Sequence, residues 1–349
     1  MADDRVQAAV ANWAPRFVSQ GVDINDFGRV TSRVETWPEW LPAWVENGDA
    51  HAQIARAAEE QGRTLTAGKA WNHAALSYHF AKFVWMVDLN LYRQAADKAV
   101  AALAHVHRLL DPRAERIEIP FEKTTMVGSL RRPAGLERTR APLVLLLPGL
   151  DSTKEEFFSW ENVFLQRGMA TLSLEGPGQG ETGYTTSIRP DYEVAVCAAL
   201  DHVGWEGPVG LAGVSLGGYY APRAAAFEPR VQAVAGVSGP FNFGEAWDAR
   251  PTLTKETFQH HAGAASPEAA REKASELSLE GVAERIEQPL LVLTGKLDRL
   301  VLWRESKKIA DSAPNSTWVL FDEGNHVCNN IPYKSRPLVA DWLKQQLAA

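Results

Sequence analysis

The stretch that most constrains this chain is Gly213-Val214-Ser215-Leu216-Gly217. An apolar run, Val209-Gly210-Leu211-Ala212, precedes it and reads as a buried strand. Gly218-Tyr219-Tyr220-Ala221-Pro222-Arg223-Ala224 follows and reads as a helix. A strand that turns into a helix through so few residues needs neighbours without bulk, which Gly213 and Gly217 supply. Such a turn lifts the Ser215 hydroxyl above the sheet edge, the geometry of a nucleophile elbow. It also aims the Leu216 N–H at the same point, beside the positive end of the helix. The alternative is a chance G-x-S-x-G pattern with Ser215 as a turn serine.

Around the elbow the pattern is that of alternating strands and helices. Residues 116–121 alternate polar and apolar, and 126–133 follow as a partner strand. The run 143–147 is continuously apolar, as a central parallel strand covered on both faces must be, and 170–174, 231–237, 290–293 and 318–321 read as the further strands of the set. Helical segments at 157–167, 191–203 and 338–347 separate them. This predicts an α/β fold: a doubly wound, mostly parallel sheet with helices on both faces. Residues 240–287 are too long for an ordinary connection and hold two helical stretches, 254–261 and 267–277, so they read as a helical cap insertion over the strand carboxyl ends.

Residues 1–112 carry a different period. Val6, Val10, Trp13 and Phe17 recur at helical spacing, and 50–61, 65–87 and 92–110 are further helical stretches. Trp37, Trp40 and Trp44 stand between them in a stretch expected to be broken by Pro38 and Pro42. Residues 65–87 and 92–110 suit an αα-hairpin, without a fixed period that would mark a solenoid. The division expected is therefore a helical N-terminal domain, 1–112, serving as cap or dimerisation domain, and a catalytic domain, 113–349.

In this fold an acid and a histidine follow the nucleophile in that order. Asp298 lies after the strand 290–293 and 83 residues past Ser215; His326 lies after 318–321 and 28 residues further on. His326 is expected to take the Ser215 proton and Asp298 to hold the imidazole tautomer. The alternatives are a helix-capping Asp298 and a loop His326; Asp322 and Glu323 are rival acids but sit too close to His326 in sequence. The loop Pro148-Gly149-Leu150 follows the third strand, and Leu150 N–H is the natural partner of Leu216 N–H in an oxyanion hole.

Other motifs are read as structural. Glu175-Gly176-Pro177-Gly178-Gln179-Gly180 lacks both dinucleotide spacing and a P-loop lysine, so it is a turn and no cofactor is expected. His105 and His107 are two apart on a helix and do not share a face, so no metal site is expected. Cys328 is read as a packed thiol. Tyr78, His79, Tyr219 and Glu245 are the expected substrate contacts, with core packing as the alternative for Tyr78-His79 and a solvated acid for Glu245.

Composition narrows the class. The 349 residues are 45% hydrophobic and 23% charged, with a formal net charge of −7. That balance argues for a globular chain and against nucleic acid or an anionic membrane as partner. Two cysteines fit a reducing compartment, and neither a signal peptide nor a membrane span is read, so a cytoplasmic protein is expected.

The segments Ala75-Leu76-Ser77-Tyr78-His79-Phe80-Ala81-Lys82-Phe83 and Leu147-Pro148-Gly149-Leu150-Asp151-Ser152-Thr153-Lys154-Glu155, the loop 175–180 and the elbow together resemble one branch of the α/β-hydrolases. It is the branch of 2,6-dihydroxypseudooxynicotine hydrolase, fungal polyketide-shortening hydrolases and fermentation–respiration switch esterases, and the likeness covers nearly the whole chain. Pro148 stands where many relatives carry His. The resemblance implies hydrolysis of a carbon–carbon bond in a ketone or β-diketone-like small molecule, no cofactor and a homodimer. It implies Ser215, Asp298 and His326 as triad, Glu245 as a carboxylate at the substrate, and helices roofing the site. The residues alone leave a carboxylesterase or thioesterase equally open, and a non-catalytic binding protein as a third reading.

Overall fold

The computed structural model describes residues 3–135 and 140–348. The chain divides into two compact units: Met1–Glu115 with Glu155–Ser159, and Arg116–Lys154 with Trp160–Ala349.

The first unit is helical: α1 (Asp4–Gln20), α2 (Ile24–Thr31), α3 (Trp37–Glu60), α4 (Thr64–Lys82) and α5 (Leu89–Leu110). Its starts are capped in the expected chemical way. Asp23 accepts from Asn25 N–H, Asp88 from Asn90 and Leu91 N–H, and Glu39 reaches back to Thr36 N–H at 3.0 Å. The Trp-rich stretch is not broken. Pro38 occupies the second position of α3, where no N–H is needed, and Pro42 follows within the early turns, so one helix runs through both. Trp37, Trp40 and Trp44 thereby recur along one helix, and Phe17 and Phe80 stack at 3.8 Å beside Trp44. Helix α4 ends five residues before the expected 87, and the chain is buried without interruption from Ala74 to Trp85, so its apolar residues show little one-sidedness. Alanines on α3, α4 and α5 let these helices approach closely. Segment Glu155–Ser159 is held in this unit by Arg16, whose guanidinium donates to both Glu156 carboxylate oxygens at 2.9–3.1 Å.

The second unit is built on an eight-stranded sheet. The strands are β1 (Glu115–Phe121), β2 (Thr124–Arg131), β3 (Leu143–Leu147), β4 (Ala170–Glu175), β5 (Val209–Val214), β6 (Val231–Val237), β7 (Leu290–Gly295) and β8 (Ser316–Phe321). Their order is β1-β2-β4-β3-β5-β6-β7-β8. Strand β2 is antiparallel to β4, and β4 through β8 run parallel. Strands β3, β4 and β5 are buried at every residue; β3 and β5 are accordingly apolar runs without alternation, whereas in β4 the buried polar residues Thr171, Ser173 and Glu175 alternate with Ala170, Leu172 and Leu174. Helices α6 (Phe158–Leu165), α7 (Glu193–Val203), α8 (Gly217–Phe227) and α12 (Pro332–Gln346) form where periodicity placed helices; α11 (Trp303–Ser312), between β7 and β8, was not singled out. Between β6 and β7 lie α9 (Thr252–His261) and α10 (Pro267–Glu276).

The connection after β3 leaves toward β4, while the one after β5 leaves toward β6 on the other side. The strand order therefore reverses between β3 and β5, and loops leaving their carboxyl ends bound a crevice.

Candidate active site

Ser215 follows β5 at that crevice with φ +55°, a left-handed conformation uncommon for any residue but glycine. The turn is over-determined by its neighbours. A Cβ at Gly213 would stand 1.9 Å from the Gly217 carbonyl oxygen, and one at Gly217 would stand 2.1 Å from Leu147 O. Ser215 N–H donates to Val237 O at 2.9 Å and its carbonyl accepts from Gly218 N–H at 2.8 Å. The main chain is thus pinned, and the half-buried side chain is left at the mouth of the turn.

Asp298 and His326 converge on it from the ends of β7 and β8. His326 Nε2 is 2.9 Å from Ser215 Oγ, and Nδ1 is 2.8 Å from Asp298 Oδ2. The second oxygen of Asp298 accepts from Leu300 and Val301 N–H, both at 2.9 Å. The carboxylate is therefore oriented by its own following turn, and at 3% exposure it meets His326 away from bulk water. Asp322 and Glu323 lie elsewhere: they pair with Lys296 and Lys334 at exposed positions.

The histidine loop has supports that sequence reading missed. Val327 and Cys328 both have positive φ, +58° and +53°. Val327 N–H donates to Ser238 Oγ at 3.0 Å, and Ser238 Oγ lies 3.0 Å from Thr294 Oγ1. Ser238, at the end of β6, is itself fully buried with φ +51°. Two hydroxyls at neighbouring strand ends thus hold the backbone beside His326. The sequence signal was only a Ser after β6 and a Thr within β7, neither of which marks a loop 89 residues away as its partner.

The loop after β3 lies against the elbow. A Cβ at Gly149 would be 3.0 Å from Ser215 Cβ, and Pro148 O is 2.7 Å from where a Gly217 Cβ would be. Leu150 and Leu216, both buried, follow these contact points in sequence. The Gly-rich loop after β4 turns its polar groups inward. Glu175, fully buried, accepts from Lys154 N–H at 3.1 Å, Lys154 Nζ at 3.3 Å and Glu181 N–H at 2.9 Å.

The four expected substrate contacts are placed differently. Tyr78 OH donates to Asp49 Oδ1 at 2.7 Å within the helical unit, with Lys98 over its ring. His79 is fully buried, 3.2 Å from Glu156 Oε2 in the same unit. Burial, reinforced by Lys82, pushes its pKa below the ordinary histidine range. Tyr219 OH donates to Pro190 O at 2.9 Å. Glu245 is about half exposed and holds Lys308 Nζ through both oxygens, at 2.5 and 2.7 Å. Each polar tip thus has a protein partner outside the triad. Cys328 is buried and its thiol is pushed up to about 12 by desolvation, so it is a packed, protonated group. Among the described residues no set of three His, Cys, Asp or Glu is placed to hold a metal ion, and no helix is long and apolar enough to cross a membrane.

Comparison with known proteins finds relatives along nearly the whole chain. The family model described as Esterase FrsA-like matches residues 35–243. The 2,6-dihydropseudooxynicotine hydrolase of Paenarthrobacter nicotinovorans is 32% identical over 97% of this chain and 92% of its own. The crystal structure of a 2,6-dihydroxy-pseudo-oxynicotine hydrolase superposes with a TM-score of 0.87 at 32% identity, covering 96% of each chain. The α/β-hydrolase xenA of Xenoacremonium sinensis is 30% identical over 69% of this chain and 60% of its own.

Proposed function

The chain belongs to the FrsA-like esterase family of α/β-hydrolases, and from that premise we propose that it is a serine-type hydrolase cleaving a carbon–carbon bond beside a carbonyl. The observation that carries the serine mechanism is the unbroken line from Ser215 Oγ through His326 to Asp298, at 2.9 and 2.8 Å. The likeness along 97% of the chain to a hydrolase named for 2,6-dihydropseudooxynicotine supports a ketone or β-diketone-like, aromatic or polyketide-like substrate.

In this reading Ser215 Oγ bonds to the substrate carbonyl carbon while its proton passes to His326 Nε2. Asp298 keeps Nδ1–H in place and stabilises the imidazolium. The oxyanion is received by the Leu150 and Leu216 N–H groups, which cost no reorganisation when charge develops. As the tetrahedral adduct collapses the C–C bond breaks, its electron pair leaves with the departing carbon, and His326 returns the proton there. The leaving group therefore departs as an enol or a stabilised carbanion, which requires a second carbonyl or an electron-rich ring next to the broken bond. Water, deprotonated by His326, then releases the acyl group as a carboxylic acid and restores Ser215.

The esterase description of the family favours a second reading, with the same triad and an alkoxide or thiolate leaving group. Assaying the protein side by side on aryl β-diketones and short-chain esters separates the two. Higher kcat/KM on the diketones is expected; esters turned over faster by orders of magnitude would contradict the C–C reading. A homodimer and a cytoplasmic location belong to the same proposal, the first checked by light scattering on a sizing column.

A further inference from the structure

The peptide joining Gly149 to Leu150 has two faces. Its N–H is the oxyanion donor proposed above. Its C=O points the opposite way, because the two bonds of a trans peptide are antiparallel. Whatever holds that carbonyl sets the direction of the N–H.

Gln179 holds it. The side-chain Nε2 donates to Gly149 O at 3.0 Å and to Pro148 O at 2.9 Å. One primary amide thus grips two consecutive carbonyls of the loop. Pro148 lacks an N–H, so its carbonyl is the only backbone hydrogen-bonding group it offers. At its other end Gln179 Oε1 accepts from Gly176 N–H at 3.1 Å and from Tyr192 OH at 2.8 Å. Both donor hydrogens and both acceptor lone pairs are used, and the residue is 1% exposed. The amide has only one workable orientation. Reversing it would set oxygen against two carbonyl oxygens and NH₂ against the Gly176 N–H. Tyr192 is fixed in turn, stacked on Tyr220 at 4.0 Å and raised by burial well above the usual phenol range, so it remains a donor.

We propose that Gln179 is the positioning residue of the oxyanion hole. It fixes the 149–150 peptide so that Leu150 N–H faces the point above Ser215 where the oxyanion forms. By drawing on the Gly149 carbonyl it also polarises the N–H of the same peptide, making it a stronger donor. Gln179 touches no reacting atom. The inference rests on the proposal that Ser215 is the nucleophile and Leu150 N–H a donor.

The experiment compares Gln179→Ala, Gln179→Met and Tyr192→Phe with the unaltered protein, using p-nitrophenyl acetate turnover and binding of phenylboronic acid, which forms a tetrahedral adduct with an active serine. Thermal melts check folding, and Ser215→Ala runs alongside. Folded Gln179 variants are expected to lose kcat by roughly 10- to 100-fold, a fraction of the effect of deleting a donor outright, with KM within about two-fold. Phenylboronic acid affinity should fall by a similar factor. Tyr192→Phe, which loosens Gln179 by one bond, should lose a few-fold in both. A folded Gln179 variant with unchanged kcat overturns the inference, and so does a fall in kcat without a fall in boronate affinity. If neither Gln179 variant folds, Tyr192→Phe decides: unchanged kcat and boronate affinity overturn it. Full activity in Ser215→Ala would instead overturn the nucleophile reading itself.

Discussion

Ser215 and His326 are 111 residues apart in sequence, and their Oγ and Nε2 atoms are 2.9 Å apart in space. The first is held by a strained turn after β5, the second by a loop whose next two residues both have positive φ. Their meeting is thus a product of backbone held on both sides.

Ser215→Ala, His326→Ala and Asp298→Asn should each lower kcat by about 10⁴-fold or more while the protein stays folded. The three act as one unit, so combined variants should be little worse than Ser215→Ala alone. Steady-state kinetics with matched thermal melts check this, and a double variant far below Ser215→Ala would contradict the shared role.

Ser238→Ala removes the acceptor of Val327 N–H and the partner of Thr294 Oγ1 at a fully buried position. Leaving these groups unmatched should cost about 1–3 kcal/mol of stability. The loosened His326 should lower kcat on the order of 10-fold. Urea melts and kcat measured on the same preparation separate the two effects; an unchanged kcat would mean the loop is held without Ser238.

Gly213→Ala tests the tightness of the elbow. The added methyl has the Gly217 carbonyl oxygen at 1.9 Å and Ala221 Cβ at 2.9 Å, on backbone already fixed by β5 and α8. Overpacking here should cost about 3 kcal/mol or more and abolish labelling of Ser215 by a fluorophosphonate. A soluble variant that labels at the normal rate would show that the turn relaxes.

What the sequence could reveal depended on how local the cause was. The central strands were legible because burial on both faces demands continuous apolar runs, and β3 (Leu143–Leu147) is one. The elbow was legible because its two glycines lie within two residues of Ser215. Helix α3 was not, because Pro38 and Pro42 look like breaks until one knows that the helix begins at Trp37. Gln179 and Ser238 were not, because each is defined by partners 31 and 89 residues away that no local pattern announces. For Tyr78 and His79, periodicity marked a helix but could not say that Asp49 and Glu156 would meet them.

His79 gives the helical unit a sensitivity to acid. Its pKa is depressed by burial, with the Lys82 charge adding to this, so the folded state holds it neutral where the unfolded chain takes up a proton. Its contribution is therefore present above the unfolded value of about 6.5 and is lost as pH falls toward the folded value. One proton of difference gives a slope of at most about 1.4 kcal/mol per pH unit. Denaturant melts between pH 7.5 and 5 should show stability falling with pH, and His79→Gln should flatten that fall. An equal slope in the variant would assign the acid sensitivity to other groups.

The central claim is that Ser215 carries the acyl half of the cleaved substrate. Rapid acid quench of the protein with an aryl β-diketone, followed by peptide mass spectrometry, tests it most directly. The account predicts the acyl mass on the peptide containing Ser215, appearing before free acid accumulates and absent from Ser215→Ala. Turnover of the diketone with that peptide unmodified at every time point, or with the acyl group on Cys328, would contradict it.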